Sequence, residues 1–207
     1  MLIGVVADEW TKKELLAQGM QPGTEILWLD RPAVIPGAAA YIHLLFPNDP
    51  GLAAAWEALT DTPVIINDVL QKNRQLPSHF IRLNGWPTFL NRPLVEVASS
   101  DPAIKDKASA VFSAINKSVE WVPDVPGFVS ARIVSMIINE AFYTLEDEVS
   151  TKEEIDTAMK LGTNYPYGPF EWAQQIGLKN ICSLLDKLFS GQPRYKPSPL
   201  LIKEAGH

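Results

Sequence analysis

The sequence predicts an α/β protein in two domains, a mostly parallel sheet domain over residues 1–123 and an all-helical domain over residues 124–207. Two observations predict this division. Short apolar runs alternate with helix-like segments as far as Pro123, which is typical of β-α-β units around a parallel sheet. From Gly127 onward the strand pattern is replaced by apolar residues at helical spacing.

The first domain is predicted to contain seven strands, because seven short runs are apolar and rich in β-branched or aromatic residues. These runs cover residues 5–7 (after the apolar pair 2–3), 25–29, 41–46, 64–66, 80–83, 94–97 and 118–122. Three helices are expected between them. The first begins at an N-cap at Asp8 or Thr11 and ends before Gly19. The second spans residues 50–59 and the third residues 101–116.

In the second domain, two overlapping capping boxes predict a helix start near residue 151. Ser150 with Glu153, and Thr151 with Glu154, both have the required spacing. A longer helix over residues 129–145 has apolar residues on more than one face. Such a helix is expected to be covered by its own domain and by a second subunit.

Composition excludes several classes of function. The net charge of −6 and pI near 5.1 argue against a nucleic-acid partner, because no excess of Lys or Arg is available for phosphates. Cys182 is the single cysteine, so an internal disulfide and a cysteine-cluster metal site are excluded; it is expected to be a buried packing residue. Without an 18-residue apolar run or a signal-like N-terminus, a cytoplasmic protein is expected.

A set of spaced motifs in the second domain resembles the helical C-terminal domain of the 3-hydroxyacyl-CoA dehydrogenases. The stretch 124–132 reads DVPGFVSAR, where that family has D-x-PGF-x-x-N-R. The further motifs, in the same order, are NEA at 139–141, DTAMKLG at 156–162, GPFE at 168–171 and RY at 194–195. The resemblance implies a shortened Rossmann-like sheet domain followed by a helical domain that holds much of a dimer interface.

The resemblance continues upstream and implies the position of each catalytic group. In the family, a His base is supported by a Glu, and a Ser and an Asn hold the substrate oxygen. The Glu corresponds to Glu96, within LVEV at 94–97, but the His corresponds to Asn84, the Ser to Val69 and the Asn to Ala131. An amide cannot take up and release a proton near pH 7, so Asn84 cannot act as the general base.

Other residues do not restore the missing base. Neither His43 nor His79 is at the matching position, and a His before a strand is more often structural. The retained Glu96 also has a non-catalytic interpretation, as a carboxylate paired with Arg82 or Arg132.

The first strand is not followed by a dinucleotide-binding loop. A pyrophosphate site needs G-x-G-x-x-G there, so that the backbone can approach the phosphates at a helix N-terminus. Here the sequence reads ADEWT at 7–11, and Asp8 and Glu9 would repel a dianion. Asp30 is where a ribose-binding acid belongs, with an alternative role as a turn residue. NAD binding in the usual mode is therefore not expected.

Three hypotheses remain open. The chain is a non-catalytic relative that keeps the fold and a homodimer interface and binds an acyl-CoA-like ligand or a protein. Alternatively, it is a divergent nicotinamide-dependent 3-hydroxyacyl-CoA oxidoreductase with a site rearranged around Glu96 and Asp30. A third possibility is a different chemistry of acyl thioesters that uses Glu96 alone.

Overall fold

A computed structural model describes residues 1–46, 55–71 and 76–206 of the chain. They divide into two compact units, Met1–Phe128 and Val129–His207. The first half of the helix predicted over residues 50–59 lies outside the described residues. In the described half, residues 55–56 are 3-10 and residues 57–58 form a turn, so no α-helix is present there. None of the helices in the described ranges is long and apolar enough to cross a membrane.

The first unit is built on one sheet. Within the described residues it has seven strands in the order β2-β1-β3-β4-β5-β6-β7, and neighbouring strands are parallel except for the antiparallel pair β5–β6. The strands are β1 (Leu2–Val6), β2 (Glu25–Leu29), β3 (Ala40–His43), β4 (Val64–Asn67), β5 (Phe80–Leu83), β6 (Leu94–Ala98) and β7 (Ser118–Trp121). The mostly parallel sheet predicted from the apolar runs is confirmed.

The central strands β1, β3, β4 and β5 are buried on both faces, which explains why they are mostly apolar. Successive residues of a strand point to opposite faces. Accordingly, Val5 and Ile42 lie in one apolar cluster, whereas their neighbours Val6 and Tyr41 lie in the other. A parallel sheet covered on both sides requires this composition. The α-helices that the structure describes in this unit are α1 (Glu9–Leu15) and α2 (Pro102–Ala114).

The second unit is helical throughout its described length, as predicted. Its helices are α3 (Ser130–Glu146), α4 (Lys152–Thr163), α5 (Pro169–Ile176), α6 (Leu178–Phe189) and α7 (Pro199–Ala205). Of the two overlapping capping boxes, the structure uses Thr151 with Glu154, and the Ser150 hydroxyl donates to the same Glu154 carboxylate. Cys182 is buried in α6, as its apolar surroundings predicted.

Residues 124–128 of the DVPGF segment lie in the first unit. The backbone N–H of Gly127 donates to the carbonyl oxygen of Val69 at 2.8 Å, and Asp124 pairs with the guanidinium of Arg82. Phe128 contacts the same guanidinium, 4.8 Å from its ring centre. These contacts hold the segment next to the ends of β4 and β5.

Candidate functional site

Asn84 and Glu96 form a hydrogen-bonded pair at the carboxyl end of β5. The antiparallel pairing of β5 with β6 continues to these residues, because the Asn84 N–H donates to the Glu96 carbonyl oxygen at 3.0 Å. The Asn84 side-chain amide then donates to Glu96 Oε2, also at 3.0 Å. Asn84 is 2% exposed and Glu96 is half-buried. The two positions that the resemblance assigned to a base and its supporting carboxylate are therefore in contact, with an amide in place of the imidazole.

Asn67, the last residue of β4, fixes the backbone that follows Asn84. Its Oδ1 accepts from the Gly85 N–H at 3.1 Å, and its Nδ2 donates to the carbonyl oxygens of Gly85 and Leu44. A Cβ at Gly85 would be 2.8 Å from Asn67 Cγ, so a glycine is needed for this approach. Asn67 was not among the site residues predicted from the sequence; the glycine directly after Asn84 was the available signal.

Among the described residues, the polar contacts of Val69 are made by its main chain alone. Its side chain is 1% exposed and apolar, and its carbonyl oxygen accepts from Gly127 and from Arg82. Arg82 forms its ion pairs with Asp68, at 3.8 Å, and with Asp124, and the Glu96 carboxylate accepts from Asn84. Val69 has no hydroxyl with which to hold a substrate oxygen.

Ala131 lies in the first turn of α3 in the second unit and is fully buried. Its methyl group cannot form a hydrogen bond. Asn139, further along α3, is a structural residue: its amide donates to the Lys196 carbonyl oxygen at 2.9 Å, and its Oδ1 accepts from the Ser198 N–H at 2.8 Å. The NEA motif therefore anchors the segment before α7.

His43 and His79 belong to the aromatic core of the first unit. His79 Nε2 is 3.2 Å from the Trp56 carbonyl oxygen, and the His43 ring packs edge-on against Trp56. His79 precedes β5 whereas Asn84 follows it, so the two residues lie at opposite ends of that strand. This placement accords with a structural role for both histidines.

The turn between β1 and α1 is closed by its own carboxylate. Asp8 Oδ1 accepts from the Thr11 N–H at 2.7 Å and from the Thr11 hydroxyl at 2.8 Å, which completes a capping box. Glu9 forms an ion pair with Lys12 at 2.6 Å. The helix terminus that holds a pyrophosphate in dinucleotide-binding folds is thus already capped by an anion, and the turn has no glycine. These residues do not fit the NAD pyrophosphate in the usual mode.

Asp30 is exposed in the bend that directly follows β2. A carboxylate at the end of the second strand is in the position for a ribose hydroxyl, and that position alone does not supply the phosphate contacts that a dinucleotide needs.

Comparison with known proteins identifies relatives of the second unit and of the whole fold. Residues 127–205 match the family model described as 3-hydroxyacyl-CoA dehydrogenase, C-terminal domain. A 3-hydroxybutyryl-CoA dehydrogenase of Bradyrhizobium diazoefficiens is 36% identical over 154 residues, which are 71% of this chain and 53% of that protein. A 3-hydroxyadipyl-CoA dehydrogenase of Escherichia coli is 46% identical over 101 residues, 48% of this chain and 21% of that protein.

Among solved structures, the crystal structure of M. tuberculosis FadB2 has a TM-score of 0.76 at 20% identity and covers 99% of this chain and 93% of that one. At this identity the likeness establishes the shared fold. By sequence, the chain spans about half the length of the 3-hydroxybutyryl-CoA dehydrogenases it matches.

Proposed function

We propose a non-redox, ligand-binding role for this chain, which belongs to the 3-hydroxyacyl-CoA dehydrogenase family. In this proposal the chain lacks NAD-dependent dehydrogenase activity and binds an acyl-CoA-type ligand next to Asn84 and Glu96. The relatives that support the ligand class are named as dehydrogenases of 3-hydroxybutyryl-CoA and 3-hydroxyadipyl-CoA.

The observation that carries the proposal is the hydrogen bond from the Asn84 amide to Glu96. Oxidation of a 3-hydroxyl group needs a base that removes the hydroxyl proton. The Asn84 nitrogen is an amide, whose lone pair is delocalised and does not take up a proton near pH 7. Glu96 holds this amide in place and has no imidazole to support. Asn84 therefore cannot accept the hydroxyl proton.

The turn between β1 and α1 supports the absence of dehydrogenase activity independently of Asn84. The capping of α1 by Asp8 uses the amide group that a phosphate would need, and the Asp8 and Glu9 carboxylates add like charge. At about 4 Å, each like-charge contact costs about 1 kcal/mol in water and several times more when partly desolvated. A protein that had lost the base and still bound NAD would be expected to retain a turn between β1 and α1 that can accept the pyrophosphate.

We also propose that two copies of the chain assemble through α3. Val129 and Ile133 are 47% and 54% exposed, and Met136 and Ile137 are half-buried beside them on the same helix face. A contiguous exposed apolar face of this kind marks an interaction surface. Light scattering should give twice the monomer mass, and Ile133→Lys should shift the protein to a monomer. A monomeric wild-type chain at micromolar concentration would contradict this assembly.

Calorimetric titration separates the proposal from a nicotinamide-dependent alternative. NADH, NADPH and butyryl-CoA are titrated separately into the full chain, and the melting temperature is measured at each ligand concentration. We expect saturable binding of butyryl-CoA, with a stabilisation of about 2.7 kcal/mol at 100 times the Kd. NADH and NADPH should give no heat of binding and no change in melting temperature. Saturable NADH binding would favour the rearranged oxidoreductase instead.

A further inference from the structure

A groove runs along the accessible face of α3 in the second unit. It has a volume of about 520 Å³ and is lined by five residues of α3, between Arg132 and Glu140, and by Arg194 and Tyr195. The three remaining α3 residues of this lining are apolar: Ile133, Met136 and Ile137. The α3 groove, as we call it, is therefore an apolar surface with charged groups at its sides.

Two guanidinium groups lie against one aromatic ring in this groove. The guanidinium carbons of Arg132 and Arg194 are 5.8 and 4.7 Å from the centre of the Tyr195 ring. Arg194 Nη2 also donates to the Tyr195 hydroxyl at 2.8 Å, and Tyr195 itself is buried. Arg194 is exposed and forms no ion pair in the described part of the chain. A carboxylate that reaches this pair would form charge-assisted hydrogen bonds with it.

Glu140 carries the opposite charge on the same helix. It is exposed and, within the described ranges, forms no ion pair. It follows Arg132 by eight residues in α3, which is about 12 Å along the helix axis, and Met136 is midway between them. The groove is thus positive before Met136 and negative after it.

The accessible residues of α3 have the spacing of a contact between two helices. Four of them follow each other at intervals of four, three and four positions: Val129, Ile133, Met136 and Glu140. This repeat keeps one face of a helix against a partner helix. In a parallel pair Glu140 would face the partner's Glu140, and the like charges would repel each other. In an antiparallel pair the order is reversed, and Glu140 faces the partner's Arg132.

We propose that the α3 groove binds α3 of a second copy in antiparallel orientation, with Met136 of both copies at the two-fold axis. This inference rests on the proposed assembly through α3 and adds the orientation and the charged contacts. The Glu140 carboxylate of each copy lies beside the guanidinium groups of Arg132 and Arg194 of the other. Because the contact is isologous, it forms twice in each dimer.

Charge reversal tests the charged contacts. The dimer dissociation constant of the full chain is measured by analytical ultracentrifugation for Glu140→Arg, for Arg194→Glu and for the double variant. Each single change should raise the dissociation constant at least about tenfold, which corresponds to about 1.4 kcal/mol. The double variant exchanges the two charges, so it should bind at least about fivefold more tightly than either single variant. Lys179→Glu with Asp186→Arg, which reverses two exposed charges of α6 outside the groove, is the matched control and should leave the dissociation constant unchanged.

Disulfide crosslinking tests the orientation. Met136→Cys should form a crosslinked dimer on oxidation, because the two cysteines meet at the two-fold axis. Val129→Cys should not, because antiparallel helices separate its two copies by about 21 Å along the axis, whereas parallel helices would bring them together. The native Cys182 is buried and serves as the background in the wild-type chain. Circular dichroism establishes that each variant is folded.

The outcomes separate this pairing from the assembly on which it rests. A dimer that is lost in Ile133→Lys and unaffected by the charge reversals would keep the assembly through α3 and overturn the charged contacts. Crosslinking through Val129→Cys, or its absence through Met136→Cys in a dimeric protein, would overturn the antiparallel orientation. A monomeric wild-type chain would overturn both proposals and leave the groove to a partner other than a second copy.

Discussion

Replacing Gly168 with alanine is expected to destabilise the second unit, because the added methyl group would collide with Asp156. An ideal Cβ at Gly168 would be 2.3 Å from Asp156 Cγ and Oδ1. The φ angle of Gly168 is −73°, which any residue adopts, so the effect isolates a steric contact. Asp156 is almost fully buried and accepts from the N–H groups of Phe170 at 2.8 Å and Glu171 at 3.1 Å.

The expected loss follows from the bonds that Asp156 would have to give up. Each hydrogen bond to a charged group contributes about 1.5–3 kcal/mol. Burial raises the pKa of the Asp156 carboxyl above its ordinary value, which offsets part of the contribution of these bonds to the first turn of α5. Two such bonds would contribute about 3–6 kcal/mol, and the cost of burying the carboxylate reduces this, so we expect the free energy of unfolding to fall by about 2–3 kcal/mol. For a chain of this size that is a fall in melting temperature of roughly 4–12 °C.

Gly162 in α4 provides a matched control on the neighbouring helix. A Cβ there meets nothing within 4 Å, so Gly162→Ala should be neutral or stabilise the helix by about 0.5–1 kcal/mol. Both variants are measured by urea denaturation followed by helical circular dichroism. If Gly168→Ala unfolded within about 0.5 kcal/mol of the wild type, the tight Asp156 cap would be refuted. Equal destabilisation by both variants would refute the steric assignment.

Two substitutions and one labelling experiment test the packing of three buried polar or ionisable side chains. Arg82→Met should lower the free energy of unfolding by about 3–5 kcal/mol in urea denaturation, because it removes the buried guanidinium that pairs with the buried Asp68 carboxylate. A loss below about 1 kcal/mol would contradict a stabilising role for this pair. Burial raises the pKa of Cys182 to about 11 from 9.0, so the fraction of thiolate at pH 8 is about 100-fold lower in the native chain than in the unfolded chain. Labelling of the native chain by a disulfide reagent should therefore be at least about 100-fold slower than labelling of the chain unfolded in urea. Burial lowers the pKa of Lys117 to about 8 from 10.5. Between pH 8 and pH 10.5 the unfolded chain binds more protons at Lys117 than the folded chain, so the free energy of unfolding of the wild type should rise with pH relative to that of Lys117→Met. A difference between the two proteins that does not change with pH would contradict the burial of Lys117.

The centre of the sheet could be predicted because its strands are buried on both faces. Such strands are short apolar runs, and the lengths of the runs that contain Val5 and Ile42 favoured strands over helices. The boundaries were less predictable. The run at 41–46 remains apolar beyond the strand end at His43, because Leu44 and Phe46 are also buried in the core. The apolar pattern of a sequence indicates which residues are buried, and in β3 the buried residues continue past the last hydrogen bond to the neighbouring strand.

The candidate site was predicted in part. The pairing of position 84 with Glu96 came from the resemblance, and Asp8 was a candidate N-cap from its residue type. Neither indicated that Asn84 Oδ1 would be buried without a partner, because that depends on which way an amide turns beside a carboxylate. The hydrogen bonds between Asn67 and Gly85 were also missed, since they join the end of β4 to a residue 18 positions later, just beyond the end of β5.

The most direct test of the non-redox assignment is the NAD-dependent oxidation of 3-hydroxybutyryl-CoA by the purified chain. Formation of NADH is followed by absorbance at millimolar NAD, with Glu96→Gln measured alongside. The absence of a base at Asn84 and the Asp8 cap predict a rate equal to that of the protein-free buffer. Turnover by the wild-type chain that is lost in Glu96→Gln would contradict the account, because it would mean that this site still removes the hydroxyl proton.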